Sequence, residues 1–295
     1  MSMKNLLLLL CLAAAAGAAP KHVVIIGVDG LSAEVLREAE APNLKQLMAR
    51  GAWTLHARGV LPTVSSPNWM SILAGAGPEQ HGVDSNEWER FQHAIAPVCA
   101  GPEKIFPTLF SEWRSQRPAA HLAVIHDWPG FGRLVEKSAT AATRHVKGSP
   151  AAMAAAIAYW KQHKPDLLVV HLDDVDHAGH GKGWESADYR REVAVVDGLI
   201  GEMLAVLPAA QTLVVIVADH GGTGTKHGNP TMRELEVHHV VPFHVDSSRE
   251  LDPQNLLTLC DDCHFYIGHL RDWTRWNPHV REDAAVLLER FSKLP

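Results

Sequence analysis

The chain of 295 residues is poor in cysteine and in positive charge. It holds four cysteines, of which Cys11 lies in the N-terminal leader, leaving Cys99, Cys260 and Cys263. One CxxC pair and one lone cysteine make no disulfide framework, and Cys99 reads as a plain core or loop residue. Lys and Arg total 27 against 33 Asp and Glu, a formal charge of -6. That balance exerts no general pull on nucleic acid or anionic membranes, so any phosphate must be bound at a local site. No apolar run reaches the ~20 residues that cross a bilayer. There is no nucleophile elbow, no P-loop and no dinucleotide fingerprint. Internal repeats and low-complexity linkers are absent, and the nine Trp are scattered, as packing or cleft residues rather than a stacking platform.

What is present starts with a leader. Lys4 supplies a positive start, Leu6 to Leu12 an apolar core, and Ala16-Gly17-Ala18 a small-residue cleavage site. Residues 1–18 thus read as a signal peptide, and the mature chain as secreted or periplasmic. A lipid anchor is disfavoured, because Leu10 precedes Cys11 where lipoprotein signals prefer a small residue. The rest is 46% apolar, enough for one large α/β domain, or for one domain with a small appendix.

Apolar, β-branched runs alternate with helical patterns. His22 to Val28, Leu122 to Ile125, Asp166 to Leu172 and Thr212 to Ala218 read as strands. Ala33 to Arg50, Pro67 to Ala74, Ala151 to His163 and Trp184 to Leu207 read as helices. This alternation predicts a mainly parallel sheet with helices on both faces.

Three strands end in ligand-type residues. The first runs into Asp29; the second into Asp173, Asp174, Asp176, His177 and His180; the third into Asp219-His220-Gly221-Gly222. Taken singly, each is commonplace: a helix cap, a turn, a solvated loop. Together they matter, because open parallel sheets bind ligands at the carboxyl ends of their strands. Asp oxygens and His nitrogens gathered there suit zinc or a similar divalent ion, and 19 His raise the same expectation.

A fourth segment points to a reaction. Pro62-Thr63-Val64-Ser65-Ser66-Pro67-Asn68-Trp69 leads into Gly75-Ala76-Gly77-Pro78-Glu79-Gln80-His81-Gly82, and Asn86 follows. With Asp29-Gly30, Asp176/His180 and Asp219-His220-Gly221, this set resembles the type I phosphodiesterase/nucleotide pyrophosphatase group of the alkaline phosphatase superfamily. The resemblance implies a three-layer α/β/α sandwich and two divalent ions, expected to be zinc. It implies Ser65 as nucleophile, with Thr63 and Ser66 as rivals. Asp29, Asp219 and His220 would hold the ion at Ser65, Asp176 and His180 the second ion, and Asn86 a phosphoryl oxygen. A third ligand for the second ion is expected at His227, with His171 and His177 as alternates; His171 is expected to point into the strand packing. Asp173 either reaches the site or orients His180. A phosphoseryl intermediate, and a small phosphate-ester or nucleotide substrate, follow from the same resemblance.

After Val237 the character changes. His238-His239, Asn255 and Leu259-Cys260-Asp261-Asp262-Cys263-His264 resemble the core of an HNH endonuclease, a small ββα unit around one metal. Carried over, His239 is the general base, Asn255 its positioner, and His238 and His264 metal contacts. No earlier CxxC exists to complete a four-cysteine zinc site, and no basic patch for duplex DNA is present. The expected domains are therefore 19–236, truncated at its C-terminal end, and 237–295, either nuclease or packed remnant. Val237 to Val245 could still add a strand to the sheet, and Arg281 to Phe291 a closing helix. Nucleic acid is a partner only if the second unit works. Phosphomonoester hydrolysis on the same fold, and a non-catalytic metal-binding protein, are the other readings. A sulfatase is disfavoured, since Ser66-Pro67-Asn68-Trp69 lacks the Arg of a formylglycine signal.

Overall fold

A computed structural model describes residues 20–92, 95–227, 235–242, 245–249, 252–260, 267–272 and 275–291. The leader, Cys263 and His264 lie outside these. Strands β1 (His22–Val28), β2 (Leu122–His126), β3 (Ala142–His145), β4 (Leu167–Leu172) and β5 (Thr212–Val217) form one sheet in the order β3-β2-β4-β1-β5. Every pairing is parallel. Alternate residues of each strand face opposite sides, so the sheet carries two separate cores. Val24, Ile26, Val28, Leu168 and Val170 pack against Met153, Tyr189, Val196 and Ile200 on one side. Leu122, Val124, Leu167 and Val169 pack against Trp69, Leu73, Phe110 and Phe131 on the other. These are the helical layers of an α/β/α sandwich.

Three differences from the sequence reading have local causes. The helix expected over 33–50 is two helices, Ala33–Glu38 and Pro42–Arg50, because Pro42 cannot donate and forces Ala41 out of helical geometry (φ -129°, ψ 66°). The helix expected from Pro67 begins at Ser65. The segment at Val237 does not extend the sheet. After β5 comes a short antiparallel pair, β6 (Gly222–Thr223) and β7 (Lys226–His227). A strand at Leu235–His239, β8, then pairs antiparallel with Leu256–Cys260, β9, as a separate ribbon. Among the described residues β5 is therefore an edge strand, and Leu213 and Val215 of this most apolar run are exposed. The ribbon β8–β9 is followed, after residues outside the described ones, by the helix Val280–Phe291.

Candidate metal and phosphate site

Because β1, β4 and β5 are neighbours and parallel, their carboxyl ends lie side by side. Asp29 and Asp173 follow the ends of β1 and β4 directly, Asp219 follows β5 after Ala218, and Asp176 and His180 sit one turn apart on the helix Asp174–Lys182. Gly30 turns the chain back over the site at φ +66°. A Cβ there would lie 2.8 Å from Asp176 Oδ1, so Asp29 and Asp176 approach each other only across a glycine. The Gly30 N–H donates to Asp219 Oδ1 at 3.1 Å, while Trp184 Nε1 and Tyr189 Oη both donate to its carbonyl.

Ser65 opens the helix Ser65–Ala74. The loop before it is pinned by Asn68, whose amide accepts from Val60 N and donates to the Pro62 and Val64 carbonyls. Asn86 Oδ1 accepts from Ser66 N at 2.8 Å, capping the helix from outside. That bond occupies the carbonyl end of Asn86 and leaves its NH2 as the end for an anion. Ser65 Oγ lies 3.3 Å from Asp29 Oδ1 and 3.2 Å from His220 Nε2. Thr63 precedes the helix and Ser66 is buried in it, so of the three hydroxyls the one shown between Asp29 and His220 is that of Ser65.

Three groups of ligand-type side chains form beside this hydroxyl. Asp29, Asp219 and His220 are one; Asp176, His180 and His227 a second; Asp29, His171 and Asp173 a third; within each, the candidate donor atoms lie within 4.8 Å of one another. His220 Nε2 is 3.3 Å from Asp29 Oδ1, 3.3 Å from Asp219 Oδ2 and 3.9 Å from Asp176 Oδ1. Its Nδ1–H donates to the Gly221 carbonyl, which turns Nε2 toward the carboxylates. His180 is set the same way: Nδ1–H donates to the Thr225 carbonyl, and Nε2 faces both Asp176 Oδ2 (3.6 Å) and His227 Nε2 (2.7 Å). His227 Nε2 is 3.7 Å from Asp176 Oδ1. The short strand β7 carries His227 into this place.

The electrostatics are those of a site built for cations. Burial and the neighbouring Asp29 push Asp176 up to about 7. Asp219 is raised well above the usual carboxylate range by the same burial and the same neighbour. Burial also works to raise Asp29, but hydrogen bonds from His171 and His220 outweigh it and hold this carboxylate very low. Burial works to lower His220, yet Asp219 and Asp29 drive it up to about 10. His227 drops to about 3, through burial and the adjacent His220 and His180. Asp219 Oδ2 and Asp176 Oδ1 are buried without a hydrogen-bond partner. Buried carboxylate oxygens left unpaired are costly unless a cation meets them, so this donor set fits divalent ions.

Several residues fall elsewhere than expected. Asp173 reaches the site, in a group with Asp29 and His171, and does not orient His180; it also pairs with the exposed His177 at 2.9 Å, and that hydrogen bond raises His177 to about 9 against the lowering by burial. His177 thus faces Asp173 and not the second group. His171 does not merely fill the strand packing: it is fully buried, and its Nε2–H donates to Asp29 Oδ2 at 3.1 Å. Trp69, unmarked in the sequence reading, donates to the same oxygen at 2.8 Å. Both had a signal: a lone polar residue in the otherwise apolar Leu167–Leu172 run, and an indole one helical turn after Ser65. In the tail, His238 and Asn255 are buried. Asn255 accepts from Val241 N and donates to the Val241 and Arg249 carbonyls, tying down the loop just after His239.

Comparison with known proteins points to the family that the sequence motifs resemble. The family model "Type I phosphodiesterase / nucleotide pyrophosphatase" matches residues 23–95 and 102–239, and the model "HNH endonuclease" matches residues 224–268. Ectonucleotide pyrophosphatase/phosphodiesterase family member 3 of Rattus norvegicus is 26% identical over 215 residues, covering 68% of this chain and 24% of that protein. Family member 1 of Homo sapiens is 24% identical over 225 residues, covering 70% and 24%. The chain thus spans about a quarter of the length of these relatives. Among solved structures, human ectonucleotide pyrophosphatase/phosphodiesterase 5 superposes with a TM-score of 0.55 at 19% identity, over 68% of this chain and 57% of that one. An inactive murine form of the same protein in complex with AMP gives 0.57 at 16%, over 83% and 68%. At these identities the likeness to solved structures is one of fold, alkaline phosphatase-like.

Proposed function

The chain belongs to the type I phosphodiesterase/nucleotide pyrophosphatase family, and from that membership we propose that it is an exported hydrolase of phosphodiesters or nucleotide pyrophosphates. The observation that carries this reading is the Ser65 hydroxyl, at a helix N-terminus, between Asp29 and His220 and beside the ligand-type groups Asp29/Asp219/His220 and Asp176/His180/His227.

Asp29, Asp219 and His220 would hold one divalent ion, and Asp176, His180 and His227 a second, both zinc in this proposal. Such ions lower the pKa of a hydroxyl and stabilise developing negative charge on oxygen. The protein's own residues do the remainder. Asp29 Oδ1 accepts the Ser65 hydroxyl proton in the resting geometry, leaving a lone pair of Oγ to face the substrate. The N-terminus of the helix Ser65–Ala74 turns its positive end toward the phosphoryl group. The Asn86 NH2, released by the bond of its carbonyl to Ser66, donates to a nonbridging oxygen. Ser65 gives up its proton to solvent as Oγ bonds to phosphorus and the leaving alkoxide or nucleoside phosphate departs in line; water then cleaves the phosphoseryl ester, its oxygen going to the phosphate product and a proton returning to Ser65. The substrate is a small phosphate ester or nucleotide, in keeping with the AMP held by the murine fold relative.

Export is proposed from the leader and from relatives named as ectoenzymes. No helix among the described residues is long and apolar enough to cross a membrane. The proposed domain boundary is near residue 236, and the separate pairing of β8, which starts at Leu235, with β9 supports it.

The test is hydrolysis of bis-p-nitrophenyl phosphate and of a dinucleoside pyrophosphate by zinc-loaded protein and by Ser65→Ala. Loss of several orders of magnitude in kcat, with zinc still bound, is expected; an unchanged rate sinks the proposal. A second reading is supported by the HNH match and by the grip of Asn255 on the loop after His239. In it His239, with His238 and His264 around a further metal, cuts nucleic acid. Plasmid nicking that disappears in His239→Ala while ester hydrolysis persists would favour it.

A further inference from the structure

Asp29 has two carboxylate oxygens in different settings. Oδ1 faces Ser65 Oγ and His220 Nε2, each at 3.3 Å. Oδ2 faces away, accepting from Trp69 Nε1 at 2.8 Å and from His171 Nε2 at 3.1 Å. Both donors are buried, and so is Asp29. His171 Nδ1 is buried without a partner, so the ring proton sits on Nε2, toward Asp29. The rings brace one another: Trp69 stands edge-on to His171 at 5.0 Å, and Phe131 packs on both. Space for the indole comes from Gly27, two residues before Asp29 on β1. A Cβ at Gly27 would lie 2.5 Å from the Trp69 ring.

From this we propose that Trp69 and His171 are positioning residues that commit Asp29 to binding its ion through Oδ1 alone. Two N–H donors on one oxygen forbid the carboxylate from rotating into a two-oxygen clasp. The single oxygen left is the one next to the nucleophile. Buried partners of this kind orient metal ligands and are worth about 10–100-fold in metal affinity. The inference rests on the two-ion reading above, with zinc as the ligand, and not on which ester is cleaved.

The experiment is a competitive zinc titration of the full chain, with stoichiometry by native mass spectrometry, for His171→Leu, His171→Gln and Trp69→Phe. His171→Leu and Trp69→Phe should weaken one of the two zinc sites by about 10–100-fold and leave the other unchanged. His171→Gln, which retains an N–H donor, should recover most of the loss. Should His171→Leu fail to fold, Trp69→Phe carries the test, since it keeps a ring in place. Unchanged affinities in all three overturn the proposal. So does an equal loss at both sites with a parallel drop in the melting temperature of the zinc-free protein, which marks a structural role. A wild type that binds zinc but cleaves no ester would refute the proposed function, and the affinity order would still decide this inference.

Discussion

His180 and His227 face each other Nε2 to Nε2 at 2.7 Å, with Asp176 against both. Two imidazole nitrogens aimed at one point, one of them with its other nitrogen held by the Thr225 carbonyl, form a cradle for a cation. His227→Ala should therefore lower the zinc content by one ion per chain. Mass spectrometry under native conditions reads this directly. Two ions retained at wild-type affinity would remove His227 from the site.

Metal uptake should release protons. In the ion-free site Asp176 is pushed up to about 7 by burial and by Asp29, and Asp219 is raised as well. Below about pH 7 Asp176 holds a proton that an entering cation must displace, and His220, driven up to about 10, holds one above that. Apparent zinc affinity should rise with pH through about 7 and on toward about 10. Calorimetry in buffers of different ionisation enthalpy should show the protons leaving; binding with no buffer dependence would contradict this.

Acid stability should depend on His81. Burial holds it down at about 4, with Nδ1 accepting from Val83 N and Nε2 against Ser71 Oγ. Unfolded, it titrates near 6.5. Its folded pKa is the lower one, so its stabilising contribution is complete above pH 6.5. That contribution is lost as pH falls toward 4, and is on the order of 2 kcal/mol once solvent screening is allowed for. Denaturant melts of the wild type and His81→Gln across this range should show a flatter profile in the variant. Parallel profiles would count against it.

Gly30→Ala should damage the site more than the fold. The left-handed backbone costs an ordinary residue about 1–2 kcal/mol, and the added Cβ meets Asp176. Zinc affinity should drop while the melting temperature of the ion-free protein falls only a few degrees. Wild-type zinc binding in this variant would show that Asp29 and Asp176 do not need to be so close.

Much of the site is legible locally because strand ends and helix turns are local. β1 has the bounds its apolar run predicts, and Asp29 and Asp219 stand at strand ends by simple reading. Trp69 carries no assignment from the sequence, and His171 only that of an alternate ligand or packing residue, because their partner, Asp29, is far away along the chain. The orientation of His180 by Thr225, rather than by Asp173, also depends on a contact between remote segments.

Sequence alone determined the family, the alternation of strand and helix, and the residue types of both ligand groups, since periodicity and motif order are properties of neighbouring residues. Tertiary structure decided which oxygen of Asp29 faces the Ser65 hydroxyl, which histidine meets His180, and that the chain after Val217 leaves the sheet instead of extending it. Those outcomes depend on packing between segments brought together only by folding, where a glycine without a Cβ or an indole N–H selects one arrangement among several that the linear pattern allows.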